Sequence, residues 1–138
     1  MINLTATPET APEPIKVLVA EDEVLVRLMV AEVLREAGFR VSEAAHADEA
    51  ITILKTMPVD VVVTDLHMRA AKDGLIVANY VRERCPGTPV LLASVQVSPV
   101  DGCPFDAFFI KPYRPEDIEA WIKRHSAAIA SHTNGTLP

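Results

Sequence analysis

Short apolar runs recur along the chain at Lys16–Ala20, Val59–Thr64, Val90–Ala93 and Ala107–Ile110, with a weaker one at Arg40–Ala44. Within most of them the apolar residues are consecutive rather than alternating with polar ones. Strands that read this way are buried on both faces, as in a parallel sheet covered by helices. The intervening segments carry a helical period. Val26, Met29, Val30, Val33, Leu34 and Ala37 fall at i, i+3, i+4, i+7, i+8 and i+11, one apolar stripe, and Gly38 stops it. Ala47, Ala50, Ile51 and Leu54 repeat the pattern until Pro58. A third helix is predicted from Gly74 to Cys85, closed by Pro86-Gly87. The last starts at Pro115, a good first-turn residue, with Glu116 and Asp117 facing the helix dipole and a stripe of Ile118, Trp121, Ile122, His125 and Ile129. Between Ser94 and Asp106 lie Pro99, Gly102 and Pro104 and little periodicity, so a helix there is expected to be short or absent.

This βα alternation predicts one domain, an open, doubly wound, five-stranded parallel α/β sheet with helices on both faces. It is expected to span residues 15–130. Residues 1–14, with Pro8, Pro12 and Pro14 and no periodicity, read as a disordered leader, and residues 131–138 as a flexible tail.

Composition narrows the function. Lys and Arg number 13 against 19 Asp and Glu, a formal net charge of −6. That argues against nucleic acid or an anionic membrane as a partner, since both need a positive field. No apolar run approaches the roughly 20 residues of a membrane span, and no basic start leads into an apolar stretch as in a signal peptide. Cys85 and Cys103 lack metal-ligand spacing and read as free thiols, so a cytoplasmic setting is expected.

In doubly wound sheets, ligands bind outside the carboxyl ends of the strands. At those ends stand Glu21, Asp22 and Glu23 after the first run, Asp65 after the third, Ser94 after the fourth and Lys111 after the fifth. Converging carboxylates repel one another unless a cation relieves them, and Mg²⁺ suits carboxylate oxygens. A fixed lysine and a serine hydroxyl suit phosphoryl oxygens, and Asp65 is placed to attack phosphorus. The set reads as a phosphoryl-transfer site working by positioning and charge neutralisation.

The stretches KVLVAEDE (16–23), VVVTDLHM (61–68), PVLLAS (89–94) and FFIKPY (108–113) resemble the receiver (CheY-like) domain of two-component response regulators, over about Ile15 to Ala127. The resemblance implies the flavodoxin-like strand order 2-1-3-4-5, for which a receiver of this type is a known example. It implies that Asp65 accepts a phosphoryl group from a sensor histidine kinase or histidine phosphotransfer protein. Asp22 and Asp65 would ligate Mg²⁺ with the backbone carbonyl of His67, and Glu21 would join through a metal-bound water. Ser94 matches the hydroxyl residue that follows the phosphoryl group, Lys111 the lysine that pairs with it, and Phe108 the aromatic switch position. His67 and Gln96 match positions that tune the lifetime of the phosphorylated state. A cis bond between Lys111 and Pro112 is also implied. The implied protein is a single-domain phosphorelay component, a monomer or weak dimer acting on an unidentified protein target. It is not an enzyme with a separate substrate: its chemistry is magnesium-dependent self-phosphotransfer and self-dephosphorylation.

Several positions depart from the family pattern. Glu21 replaces the commoner aspartate, and its extra methylene is expected to carry the carboxylate outward. Arg69 stands where proline is usual, in a loop one residue longer than usual before Asp73-Gly74. The stretch from Ser94 to Lys111 is several residues short, which puts the usual dimer and output surface in question. These departures keep a second reading open, a phosphorylation-independent, receiver-like interaction scaffold. A phosphohydrolase would want a second carboxylate where His67 stands. A nucleotide- or flavin-binding relative would want a glycine-rich loop after the first strand. The side chains of His67, His46 and His132 read as surface groups, and His125 and Trp121 as packing residues of the last helix.

Overall fold

The computed structural model describes residues 13–69, 72–95 and 104–135. Strands β1 (Lys16–Ala20), β2 (Arg40–Ala44), β3 (Val61–Asp65), β4 (Val90–Ser94) and β5 (Ala107–Ile110) form one sheet. All pairings are parallel and the order is β2-β1-β3-β4-β5. Helices α1 (Val24–Glu36), α2 (Ala47–Thr56), α3 (Asp73–Arg84), α4 (Pro115–Arg124) and α5 (Ser126–Gly135) complete it. The expected fold and strand order are thus present. The central strands β3 and β4 are buried at every position, whereas the edge strand β2 is mostly half-buried, which is why its run was the weaker.

Alternation along the strands separates two cores. Leu18, Ala20, Val62 and Leu92 face α2 and α3, joined by Ala50, Val77, Ala78 and Val81. Val17, Val19, Val61, Val63 and Leu91 face α1 and α4, joined by Val30, Leu34, Ile118 and Ile122. Each fully buried Leu or Ile contributes on the order of 1.5–3 kcal/mol. The face of α1 is rotated from the predicted stripe. Val30, Ala31 and Leu34 are buried, while Met29 is 55% exposed and Val24, Leu25 and Leu28 also face solvent. Ala31 is fully buried although it lies off the predicted apolar stripe. Gly38, at φ +100°, ends α1: its N–H donates to Arg35 O at 3.0 Å and that of Phe39 to Leu34 O at 3.1 Å, a Schellman closure.

Two further differences lie in the C-terminal part. The single helix predicted after Pro115 is broken at His125, whose ring stacks on Trp121 with centroids 3.8 Å apart while Nδ1 lies 2.8 Å from the Trp121 carbonyl oxygen. That contact competes with regular helical hydrogen bonding. Helix α5 then runs to Gly135, into the stretch expected to be a tail, with Ile129 buried against the α1–α4 core. The expected leader lies almost wholly outside the described residues, as do positions 96–103 of the shortened β4–β5 crossover.

Gly74 locks α3 onto β3. Its N–H donates to Leu66 O at 2.8 Å. A Cβ there would collide with the carbonyl oxygen of Asp65 and lie 2.7 Å from Leu66 Cα. Alanine normally stabilises a helix over glycine by about 1 kcal/mol. Here the backbone clash reverses the sign, and Gly74→Ala is expected to lower stability by about 1–3 kcal/mol in urea unfolding.

Candidate functional site

The carboxyl ends of β1, β3, β4 and β5 open on one rim. Asp65, the last residue of β3, is 8% exposed. Thr64 Oγ1 donates to its backbone oxygen at 3.0 Å, and Leu66 N–H donates to Ala93 O at 2.8 Å. Lys111 follows β5, and its backbone N–H donates to Ser94 O at 2.7 Å. Its Nζ donates to Asp65 Oδ2 at 3.1 Å and to Glu21 Oε1 at 2.8 Å. The bond to Pro112 is cis. Ser94 is buried at the end of β4, where its neighbour Ala93 pairs with Asp65.

One oxygen from each of Glu21, Asp22 and Asp65 lies within 4.8 Å of the others. The Lys111 ammonium bonds two of these three hard carboxylate donors, Glu21 and Asp65, and such donors fit Mg²⁺. Asp22 is exposed and Glu21 is only 3% exposed. The outward carboxylate expected for Glu21 is not what the structure shows. It turns inward because Oε1 is met by Lys111 and Oε2 accepts the N–H of Glu23 at 3.0 Å.

The charges respond to this crowding. Burial and then the neighbouring Glu21 push the Asp65 carboxyl from its ordinary 3.8 up to about 6, against the opposing pull of Lys111. Burial alone would lower the Lys111 ammonium, but the hydrogen bonds and charges of Glu21 and Asp65 outweigh it and hold the group above its ordinary value. Tyr113, which packs edge-on against Phe109, is pushed up to about 12 by burial and then by Glu21.

Other expected residues take more specific places. His67 is half-buried, and its Nδ1 accepts the N–H of Lys72 at 3.0 Å, so its side chain ties the β3–α3 loop rather than simply facing water. Lys72 there holds a left-handed φ of 66°. Phe108 is half-buried beside Phe105, with ring centroids 5.8 Å apart. His46 accepts the N–H of Glu49 and caps α2. His132 has no described side chain. Arg27 was not singled out by sequence reasoning. Its NH1 donates to Glu21 O at 3.0 Å and its Nε to Glu43 at 3.1 Å, and Arg35 NH1 meets the other Glu43 oxygen at 3.0 Å. A lone arginine on a helix gives no sequence signal for such a bridge.

The chain is thus a doubly wound α/β domain with an acid cluster and a lysine at the carboxyl rim of its sheet, and similarity to known proteins gives its family. The family model for the response regulator receiver domain matches residues 17–123, so the chain belongs to that family. It is 31% identical over 117 residues to the transcriptional regulatory protein PdtaR of Mycobacterium tuberculosis, covering 81% of this chain and 57% of PdtaR. It is 33% identical over 81 residues to a putative response regulator NtrX-like protein of Rickettsia bellii, covering 58% of this chain and 17% of that protein. The chain thus spans less than two thirds of these relatives. The chemotaxis response regulator CheY4 of Vibrio cholerae superposes with a TM-score of 0.73 at 27% identity, over 81% of this chain and 98% of CheY4.

The raised Asp65 carboxyl fixes the sign of a pH effect. Folding favours its protonated form, so that contribution to stability is complete below 3.8 and is lost as pH rises through about 6. In chelator at pH 7.5, Asp65→Asn is expected to exceed the wild type by about 1–3 kcal/mol. Urea titrations should show the gap closing as pH falls from 7 to 4.

Proposed function

We propose that the protein is a phosphoacceptor of two-component signalling, taking a phosphoryl group on Asp65 from the phosphohistidine of a kinase or phosphotransfer protein and passing the signal on by protein contact. The observation that carries this reading is Asp65, buried at the end of β3 and hydrogen-bonded to Lys111. An Asp65 oxygen attacks phosphorus, the histidine nitrogen departs, and Lys111 remains beside the acyl phosphate to offset its added charge. Asp22, Asp65 and the carbonyl oxygen of His67 would hold Mg²⁺, which supplies charge neutralisation at the phosphoryl oxygens when bound. The hydroxyl of Ser94 would donate to one of those oxygens, and Phe108 would respond to its movement. Among the described residues no helix is long and apolar enough to cross a membrane.

The donor must reach Asp65 over the rim. Beside it, α1 presents Val24, Leu25, Leu28 and Met29 to solvent, with Leu25 75% exposed. A groove of about 440 Å³ lined by Val26, Met29, Tyr113 and Pro115 continues this face to Lys111. An apolar patch next to the acceptor suits the helical face of a phosphohistidine donor.

Incubation with Mg²⁺ and a small phosphodonor is expected to add one phosphoryl mass to the wild type and none to Asp65→Asn. Fluoroberyllate binding by wild type alone would support the same site if the acyl phosphate is short-lived. Failure of both would leave the phosphorylation-independent scaffold as the better reading. Leu25→Asp is expected to slow phosphotransfer from a phosphorylated histidine donor at least tenfold, while labelling by the small phosphodonor stays within twofold.

A further inference from the structure

We propose that Glu21 is a positioning residue for the lysine rather than a group that serves the metal: it holds the Lys111 ammonium beside Asp65 and leaves Asp22 and Asp65 to face the cation. This rests on reading Asp65 as the phosphoacceptor. The lysine is closer to Glu21, at 2.8 Å, than to Asp65, at 3.1 Å. Glu21 itself is fixed at four points. Its backbone N–H donates to Ala44 O at 2.9 Å, and its backbone oxygen accepts from Arg27 at 3.0 Å. Its Oε2 accepts from the Glu23 N–H at 3.0 Å, which leaves Oε1 aimed at Lys111. Arg27 is in turn held by Glu43.

Side-chain length decides what such a residue can reach. An aspartate at position 21 would be shorter by one carbon–carbon bond, about 1.5 Å. It would keep the contact to the N–H two residues on, the local bond aspartates readily make. From a backbone pinned on both sides it would fall short of Lys111. The extra methylene thus adds the lysine to the reach of the carboxylate. The first two acids after β1 divide the work: buried Glu21 answers the ammonium, and exposed Asp22 is open to an incoming hydrated ion.

Holding the lysine in the resting state has a kinetic sense. A free lysine side chain loses rotamer freedom when it is immobilised. Glu21 exacts that cost before phosphorylation. When a phosphoryl group arrives on Asp65, the ammonium needs only to shift from Asp65 Oδ2 to a phosphoryl oxygen, with Glu21 still gripping it from the far side.

A double-mutant cycle on Mg²⁺-dependent fluoroberyllate binding tests the assignment. Glu21→Asp is expected to weaken fluoroberyllate binding five- to tenfold and Lys111→Ala by more than that. The double variant should match Lys111→Ala within twofold, because Glu21 acts through the lysine. Calorimetry with Mg²⁺ alone should show Glu21→Asp within threefold of wild type. In ¹⁵N-lysine-labelled protein, a slowly exchanging Lys111 ammonium signal should be present in wild type and lost in Glu21→Asp. Independent, multiplying effects in the cycle would overturn the proposal. So would a tenfold loss of Mg²⁺ affinity with the ammonium signal intact, which would make Glu21 a metal-side residue. Glu21→Gln, equal in length, replaces Glu21→Asp if the latter unfolds, and should likewise add nothing to Lys111→Ala. Wild type that binds no fluoroberyllate would count against the phosphoacceptor reading itself, while the ammonium signal would still report on Glu21 and Lys111.

Discussion

One ammonium group ties the rim together. Lys111 follows β5, yet it bonds to Asp65 at the end of β3 and to Glu21 after β1, with β4 standing between β5 and β3. The backbone ladder joins β1 to β3 directly, but neither of them to β5. The carboxylates are kept close by the sheet and would drive one another apart or take up protons without it. The sheet supplies the confinement and the lysine makes it tolerable. The carboxyl of Asp65 is raised first by burial and then by Glu21, against the opposing pull of Lys111.

Much of this was legible before any coordinates. β1, β2 and β5 begin and end where their apolar runs do, and in β1 the reason is that a strand buried by helices admits few polar residues. The acids and the lysine were legible for the same reason, as the polar residues that abruptly end such runs. β3 starts two residues later than its run, since Val59 and Asp60 lead in from the turn and Asp60 bonds the Lys16 backbone.

What escaped the sequence depends on direction rather than on residue type. The period of α1 was right, but the helix sits rotated so that small Ala31 is buried and Met29 is exposed. The stripe from Ile118 to Ile129 is continuous in one dimension, and only the fold of the His125 ring onto Trp121 shows where it breaks. A glutamate carries the same charge whether it turns inward or outward, so the inward turn of Glu21 required its partners to be placed. The same holds for His67, whose loop-tying bond depends on the turn at Lys72.

Strand β5 has one further property. Phe108 belongs to the core beneath α2 and α3, and Phe109 to the core beneath α1 and α4. The pleat sends successive side chains to opposite faces. A small roll of this edge strand about its own axis therefore moves the two rings in opposite senses, one deeper as the other lifts. Because Lys111 is the next residue but one after Phe109, a tug on its ammonium acts on the end of this rocker. The two sides of the sheet, though they share no side chain, are geared to each other through four residues.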